Sequence, residues 1–290
     1  MTIWNLGSIN ADMVYDLPHL PGPGETLAAQ GLDRFLGGKG ANMSVAAARA
    51  GARVSHIGAV GADGRWARDR LTDYGVDARF IAEVDVPTGH AIIAVDAQGE
   101  NNIILFQGAN HAIDADQLQQ ALAAAQPGDL LVMQNETNLQ AEAAQMGREL
   151  GLTVCYVAAP FQADAVQAVL PHLDFLILNR IEAEQLQQAT GLGPSELPVE
   201  HVIVTLGSEG ARYYGRGSDP VDFAAHDVQP VDTTGAGDTF TGYVLAGMDG
   251  GMPMAQAVAQ ANRAAALMVT RHGTADVIPD LEEVRKARLG

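Results

Sequence analysis

The stretch DTTGAGDTFTG at residues 232–242 places two carboxylates around small residues, directly before an apolar run that could continue as a helix. The Gly-Ala-Gly segment 235–237 would let backbone N–H groups converge on an anion at the helix N-terminus, where the helix dipole favours negative charge. Asp238, in the predicted first turn, could then accept the proton of an alcohol that attacks a phosphoryl group. The simpler interpretation is a tight turn with Asp238 as a helix cap. Asp232 and the complete eleven-residue run favour the catalytic interpretation.

Two further segments carry polar residues that could reach a ligand. GGKGANMSVAAARAG at 37–51 opens a helix and contains GxGxN. It lacks the G-x-x-x-x-G-K-[ST] pattern of a Walker A loop, and no clean strand runs directly into it, as a dinucleotide fingerprint would require. GSINAD at 7–12 follows the first predicted strand, and ligands of open α/β sheets bind beyond the carboxyl ends of the strands. Asn10 and Asp12 could therefore bind vicinal sugar hydroxyls, or they could form only an Asx-type loop.

Three shorter motifs also follow predicted strands. Glu136 lies in MQNET, and Asn179 and Glu182 lie in NRIE at a strand-to-helix junction. In NRIE, Asn179 could cap the helix, or the pair could position a hydrated Mg²⁺ and phosphates. TLGSEG at 205–210 could be a hairpin turn or one wall of a nucleotide pocket.

These motifs need a scaffold that brings strand ends together. Short, continuous apolar runs alternate with helical patterns along the chain, which is typical of parallel strands buried on both faces. We therefore predict an α/β fold with an open, doubly wound, mainly parallel sheet flanked by helices. The predicted strands span residues 2–8, 54–61, 129–134, 153–159, 174–179 and 201–207, and the predicted helices span residues 41–50, 114–126, 139–150 and 181–190.

Two segments interrupt this alternation. Residues 12–36 are rich in Gly and Pro, and residues 88–107 have the pattern of a β-hairpin, with AIIAV and NIILF flanking the turn DAQGEN. We expect both segments to form a small antiparallel sheet, a lid that projects from a single domain spanning residues 1–290. Such an exposed sheet must cover either a ligand or a second subunit.

Composition argues against several classes of protein. The 290 residues carry a formal net charge of −18, which disfavours nucleic acid or an anionic membrane surface as partner but allows a small anionic ligand. The single cysteine, Cys155, lies in the apolar run TVCYV and is expected to be a buried core thiol. The eight histidines show no metal-binding spacing. Neither a signal peptide nor a membrane span is expected, so the default location is the cytoplasm.

Together, DTTGAGDTFTG, GGKGAN, GSINAD, MQxE and VTRxG resemble the signatures of the ribokinase (PfkB-type) family of carbohydrate kinases, and the resemblance covers essentially the whole chain. It implies an α/β domain with a small β-sheet lid and transfer of the ATP γ-phosphate to a sugar hydroxymethyl group. Within the family the motifs are most similar to the ribokinase branch, which implies D-ribose as acceptor and ribose 5-phosphate as product. The alternatives are fructose or another ketose, 2-keto-3-deoxygluconate, or a nucleoside, whose base could be accommodated by Phe35, Met43 or Phe106.

The resemblance also implies roles for the residues at matching positions. Asp238 would be the catalytic base, and the backbone amides of Gly235, Ala236 and Gly237 would form the anion hole. The sugar would contact Asn10, Asp12, Gly38, Lys39, Asn42, Glu136 and Asp238. ATP would lie along Asn179, Thr205, Gly207, Gly210, Gly237 and Asn262, with Glu182 near Mg²⁺. A monovalent cation, K⁺, would bind beside the anion hole at Asp232, Thr234, Met268, Arg271, Gly273 and Val277, and the lid would form a homodimer interface.

Two hypotheses from other classes have less support. An NAD-dependent oxidoreductase needs a Gly-rich turn directly after the first strand and an acidic residue about 20 positions further on. GSINAD supplies no such turn. A non-catalytic sugar-binding protein would have no need of Asp238 as a base beside an anion hole.

Overall fold

The computed structural model describes residues 1–289 and contains, in that part of the chain, thirteen β-strands and nine α-helices. The strands are β1 (Ile3–Leu6), β2 (Asn10–Asp16), β3 (Gly31–Gly37), β4 (Val54–Val60), β5 (Asp77–Glu83), β6 (Gly89–Val95), β7 (Asn101–Phe106), β8 (Leu130–Gln134), β9 (Thr153–Val157), β10 (Phe175–Asn179), β11 (His201–Thr205), β12 (Ala211–Gly215) and β13 (Val221–Phe223). The helices are α1 (Lys39–Arg49), α2 (Arg65–Asp73), α3 (Ala115–Leu122), α4 (Gln140–Glu149), α5 (Ala163–Val169), α6 (Arg180–Thr190), α7 (Ala236–Asp249), α8 (Met254–Met268) and α9 (Leu281–Lys286).

Nine strands form one large sheet in the order β13-β12-β11-β10-β9-β8-β1-β4-β5. Every neighbouring pair from β11 to β5 is parallel, and β12 and β13 add an antiparallel edge. All six predicted strands lie in the parallel part, so the prediction of a mainly parallel, doubly wound sheet is confirmed. Because the strands run the same way, the motifs that follow β1, β8, β10 and β11 meet at one edge of the sheet.

Helices cover both faces of the large sheet and create two hydrophobic clusters. Ile3 packs in the cluster beneath α1, α7 and α8, whereas the next residue, Trp4, packs in the cluster beneath α3 to α6. Cys155 is fully buried in the first cluster, and burial raises the pKa of its thiol. Among residues 1–289, none of the helices combines the length and the apolar character needed to cross a membrane.

The remaining four strands form a small sheet in the order β3-β2-β6-β7. The pairs β2–β3 and β6–β7 are antiparallel, as predicted, whereas the central pair β2–β6 is parallel, so the sheet is mixed. The turn between β6 and β7 has a recognisable sequence signal, so the hairpin could be predicted. The pairing of β2 with β6 joins segments that are distant in the sequence, and no local pattern indicates it. Residues paired across strands share a face, and the register therefore places Asn10, Asp12, Phe35 and Gly37 on the same face.

Candidate active site

The loop that enters α7 is shaped by two glycines. Gly235 adopts the left-handed region with φ 75°, and a Cβ there would lie 2.9 Å from Cε of Met268, so a side chain is not tolerated. A Cβ at Gly237 would meet nothing within 4 Å. The N–H of Ala236 donates to the carbonyl of Thr233 at 3.2 Å, whereas a helix supplies no internal partner for the next N–H groups of its first turn. The start of α7 therefore has room for an anion beside Gly237.

Asp238 is buried in the first turn of α7, with 8% of its surface exposed. Oδ2 of its carboxylate accepts a hydrogen bond from Nδ2 of Asn42 at 2.9 Å. The two residues meet because α1 and α7 pack closely: a Cβ on Gly242 would lie 2.4 Å from Cβ of Ala46. The hydrogen bond fixes the orientation of the carboxylate. Within the described residues, Oδ1 of Asn42 is buried without a hydrogen-bond partner, which leaves it available to a hydroxyl of a ligand.

Asn10 stands at the start of β2, held by a residue that the sequence did not single out. Nδ2 of Asn110 donates to Oδ1 of Asn10 at 2.8 Å, and Oδ1 of Asn110 accepts from the N–H of Ile9 at 2.8 Å. Gly89 allows this approach, since a Cβ there would lie 2.2 Å from Nδ2 of Asn110. Asn110 belongs to no motif, so its supporting role has no sequence signal.

Asp12 lies against the glycines that precede α1. A Cβ on Gly37 would lie 1.9 Å from Oδ2 of Asp12, so this carboxylate occupies the space that any side chain at Gly37 would need. Gly38 has φ 92°, and a Cβ there would approach the carbonyl oxygen of Ser8 to 2.9 Å and the amide nitrogen of Asn10 to 3.0 Å. The glycines of GGKGAN therefore let the β2 arm and the start of α1 contact each other closely.

Four charged side chains share this site. The hydroxyl of Ser8 and the N–H of Lys39 both donate to Oε2 of Glu136, the latter at 3.1 Å. The carboxylate of Asp238, with a further contribution from Glu136, raises the pKa of Lys39. Burial, followed by repulsion from Glu136 and Asp238, raises the pKa of Asp12 to about 7. Burial also raises the pKa of Glu136. The sequence motifs of β1, α1, β8 and α7 thus converge on one polar site.

A cavity of about 360 Å³ lies on the other side of the α7 N-terminus. Its walls are mainly apolar and suit a flat heteroaromatic group. Three of the predicted site residues, Gly207, Asn262 and Ala236, line it. Nδ2 of Asn262 bonds the carbonyl of Ala224 at 3.3 Å and so ties α8 to the cavity wall. Three further lining residues, Ser208, Thr233 and Val269, belong to the motifs TLGSEG, DTTGAGDTFTG and VTRxG. The lining residues that sequence reasoning missed are Ala225, His226, Val228, Pro230, Ala265 and Ala266.

The other predicted nucleotide residues lie outside this lining. Asn179 and Glu182 form a reciprocal capping box at the start of α6: Oδ1 of Asn179 accepts from the N–H of Glu182 at 2.9 Å, and Oε2 of Glu182 accepts from the N–H of Asn179 at 2.7 Å. Thr205 ends β11 beside Asn179. Gly210 lies in the β11–β12 turn with φ 103°, where a Cβ would come 1.9 Å from the carbonyl oxygen of Phe223. TLGSEG is thus a hairpin turn that also forms part of the cavity wall.

The predicted cation residues link two loops. Oδ1 of Asp232 accepts from the N–H of Thr234 at 2.9 Å, and Oδ2 accepts from the N–H of Gly273 at 3.3 Å. The carbonyl of Val277 accepts a hydrogen bond from the guanidinium of Arg271 at 3.1 Å. A positive side chain therefore already occupies one side of the Val277 carbonyl, whereas Asp232 supplies negative charge beside the α7 loop.

The three candidates for contact with a nucleobase lie in different surroundings. Met43 is buried in the core, with 1% of its surface exposed, so it is not available to a ligand. Phe106 pairs with His90 and Phe35 pairs with Asp12, which places Phe106 on the opposite face of the small sheet from Asp12. Of the three residues, only Phe35 lies on the face of the small sheet that carries Asn10 and Asp12.

Three features together define a phosphotransferase that acts on a small molecule. They are the doubly wound sheet, the buried carboxylate in the first turn of a helix whose N-terminus has room for an anion, and the adjoining apolar cavity. The chain belongs to the pfkB family of carbohydrate kinases, whose family model matches residues 3–281. It is 35% identical over 297 residues to a ribokinase of Haemophilus influenzae, an alignment that covers 97% of this chain and 96% of that protein. It is 30% identical over 304 residues to a deoxyribokinase of Salmonella typhi, covering 98% and 97%. The structure of Arabidopsis thaliana ribokinase complexed with ribose and ATP matches with a TM-score of 0.85 at 29% identity, covering 98% and 97% of the two chains.

Proposed function

We propose that the protein transfers the γ-phosphoryl group of ATP to the hydroxymethyl group of D-ribose and forms ribose 5-phosphate. The observation that carries the proposal is the buried carboxylate of Asp238, held at 2.9 Å by Asn42 next to the open start of α7. The ribokinase similarity supports ribose as the acceptor.

In the proposed mechanism Asp238 accepts the proton of the attacking hydroxyl. The hydrogen bond from Asn42 fixes the orientation of the Asp238 carboxylate. The backbone amides of Gly235, Ala236 and Gly237 hold the charge that develops on the transferred phosphoryl group. Gly237 is the best placed of these, because nothing lies within 4 Å of its Cβ position. A fixed amide dipole needs no reorganisation when the charge forms, so it can stabilise the transition state more than the ground state.

The sugar is proposed to bind in the polar site described above. Its hydroxyls would bond the side chains of Asn10, Asp12 and Asn42, with Lys39 and Glu136 on the opposite wall. Gly38 would bring the backbone close to the sugar. Buried groups that hydrogen-bond a hydroxyl discriminate strongly against a substrate that lacks it, which suits a site with this many polar side chains.

ATP is proposed to place its adenine in the 360 Å³ cavity and its phosphates toward the start of α7. Asn262 and Gly207 would contact the base, and Asn179, Thr205 and Gly210 would lie along the remainder of the nucleotide. Glu182 is the proposed residue near Mg²⁺; its buried carboxylate lies close enough to Lys39 and Asp238 to interact with both electrostatically. When bound with ATP, Mg²⁺ would neutralise phosphate charge.

A monovalent cation, K⁺, is proposed next to the anion hole. The carboxylate of Asp232 and the backbone at Thr234 and Gly273 are the favoured ligands. The carbonyl of Met268 already accepts a hydrogen bond from the N–H of Arg271 at 3.0 Å. The hydrogen bond from Arg271 to the carbonyl of Val277 disfavours those two predicted positions. A cation there would help to order the α7 loop through its charge. Turnover measured in K⁺ and in a large organic cation tests this part of the proposal.

We also propose that the chain is one domain whose small sheet closes over the sugar and forms the interface of a homodimer. Strand β7 is exposed along its whole length, and several large apolar residues of the small sheet are 38–62% exposed. An apolar surface of this kind is typical of an interface. The residues concerned are Leu32, Ile92, Ile103, Ile104, Leu105 and Phe106. A cytoplasmic location is proposed because the reaction consumes ATP.

Deoxyribose is the second candidate acceptor, since a deoxyribokinase is 30% identical over nearly the whole chain. The test is ADP release with ribose, deoxyribose, fructose, 2-keto-3-deoxygluconate and adenosine. Ribose should give the highest kcat/KM, and Asp238→Asn should abolish turnover while retaining ATP binding in calorimetry. Near-normal turnover by Asp238→Asn would refute the assigned mechanism, and a higher kcat/KM for any other acceptor would refute ribose.

A further inference from the structure

Behind the sugar site lies a chain of buried polar side chains to which neither the sequence motifs nor the proposed mechanism assigns a role. Asn5, Ser44, His56 and Gln134 come from β1, α1, β4 and β8, and each has at most 1% of its surface exposed. Nδ2 of Asn5 lies 2.8 Å from Oγ of Ser44, which lies 2.8 Å from Nδ1 of His56. Buried polar groups are costly unless paired, so such a chain in the middle of a parallel sheet needs an explanation.

The direction of every hydrogen bond in the chain follows from its ends. Nε2 of His56 lies 3.0 Å from the carbonyl oxygen of Gly7, which can only accept, so Nε2 carries the proton. Burial lowers the pKa of His56 to about 4, and the neutral ring therefore accepts at Nδ1. Ser44 donates to that nitrogen and accepts from the amide of Asn5, whose Oδ1 accepts from Nε2 of Gln134 at 2.8 Å. The imidazole is thus held in one tautomer and one orientation.

The chain ends on the three segments that carry the sugar residues. His56 bonds Gly7, which leads into the β2 arm, and Asn5 bonds the carbonyl of Gly40 in the first turn of α1 at 2.8 Å. Gln134 is two residues before Glu136. Gly7 and Gly40 also touch directly, since a Cβ on Gly40 would lie 2.4 Å from Cα of Gly7. The proposed nucleotide cavity, by contrast, is lined by the β11–β12 turn, the loop that follows β13, the start of α7, and α8.

We infer that Asn5, Ser44 and His56 are positioning residues that set the spacing between the β2 arm, the start of α1 and the end of β8, and thereby the geometry of the sugar site. The inference rests on the proposed sugar-kinase function. It assigns the three residues no contact with substrate. The hydrogen-bonded network supports the side chains that bind the sugar, so the affinity for the sugar should depend on the network. The affinity for ATP should not depend on it.

The test replaces the whole network rather than one member, because a single truncation would leave a buried donor unpaired and destabilise the fold. The quadruple variant Asn5→Leu/Ser44→Ala/His56→Phe/Gln134→Met substitutes apolar groups of similar shape, which is often nearly neutral for stability. We expect its melting temperature to stay close to that of the wild type. The KM for the sugar should rise roughly tenfold or more, since misplacement by a fraction of an ångström to an ångström costs factors of this size. The KM for ATP should change less than about twofold, because no residue that lines the cavity hydrogen-bonds a side chain of the network.

The rescue control is His56→Gln, which keeps one donor and one acceptor on the side chain and should retain a sugar KM near the wild-type value. A quadruple variant with wild-type sugar KM would overturn the inference and show that the network only fills the core. A parallel rise of both KM values with a lower melting temperature would also overturn it. A wild-type enzyme that phosphorylates no sugar at all would instead refute the proposed function itself.

Discussion

Replacing Asp12 by asparagine should stabilise the ligand-free protein, and the gain should depend on pH. Asp12 is 9% exposed, and burial together with Glu136 and Asp238 raises its pKa from 3.8 to about 7. A folded pKa above the unfolded value means that the protonated carboxyl favours the fold. That contribution is complete below about pH 4 and is lost as the pH rises to about 7. The asparagine side chain is neutral at every pH, so the Asp12→Asn variant would keep its stability over this range.

The size of the effect follows from the pKa difference of about 3. At about 1.36 kcal/mol for each pKa unit, ionised Asp12 costs on the order of 4 kcal/mol above pH 7, and structural relaxation reduces this to about half. For a chain of this length about 2 kcal/mol corresponds to roughly 4 °C in Tm. Thermal unfolding of wild type and Asp12→Asn should therefore diverge between about pH 4 and pH 7 and run parallel above it.

The matched control is Asp16→Asn, the same change at an exposed carboxylate at the other end of β2. Its Tm difference from wild type should stay small and vary little over this pH range, since surface substitutions change stability by roughly 0.5 kcal/mol or less. A stability gain of Asp12→Asn that is equal at about pH 4 and pH 8, or no gain at either, would refute the argument that Asp12 is a buried, electrostatically strained carboxylate.

Three further substitutions test particular contacts. Gly37→Ala would place a Cβ 1.9 Å from the carboxylate of Asp12, so the KM for the sugar should rise by roughly tenfold while the KM for ATP stays unchanged. A variant with the same KM for the sugar as the wild type would show that the carboxylate moves aside freely. Thr274→Val removes the 2.7 Å hydrogen bond from the buried Thr274 hydroxyl to the carbonyl of Leu36 and should lower stability by about 1–3 kcal/mol in denaturant unfolding, whereas Thr274→Ser should not. Asn262→Leu should weaken ATP binding in calorimetry and leave sugar binding unchanged; a loss confined to the sugar would contradict the placement of the nucleotide.

Periodicity predicted six of the seven parallel strands because each of the six is a nearly continuous apolar run. The seventh, β5, reads DARFIAE, and its interspersed charged residues hid it. The motifs at 7–12, 37–42, 136 and 232–238 were found because glycine and polar residues at strand ends are a local signal. The part of the proposed nucleotide cavity outside TLGSEG and the α7 loop had no such signal: Ala225, Val228 and Ala265 are ordinary apolar residues until β13 and α8 bring them together.

At other positions the sequence pattern is compatible with both a structural role and a ligand-binding role. Asn179 and Glu182 have the spacing of a capping box and also that of a metal site, and the structure shows the capping box. Met43 stood next to Asn42 in a site motif, but helical rotation turns it into the core between α1 and the sheet. Neighbours in sequence on a helix point in different directions, so proximity to a motif did not predict its side-chain environment.

The charge distribution is consistent with the proposal that backbone amides, and not a cationic side chain, hold the phosphoryl group. The protein carries a formal net charge of −18, and Lys39 stands among carboxylates, with Asp238 contributing most to its raised pKa and Glu136 and Glu182 adding to it. The charge of Lys39 is therefore already matched, and it has little excess to offer an anion. The amides at the start of α7 carry partial positive charge without a counter-ion and lie within three residues of Asp238. They can hold phosphate charge without forming an ion pair that would reduce the basicity of the carboxylate. This requirement accounts for small residues at the loop, where an arginine or lysine would have paired with Asp238.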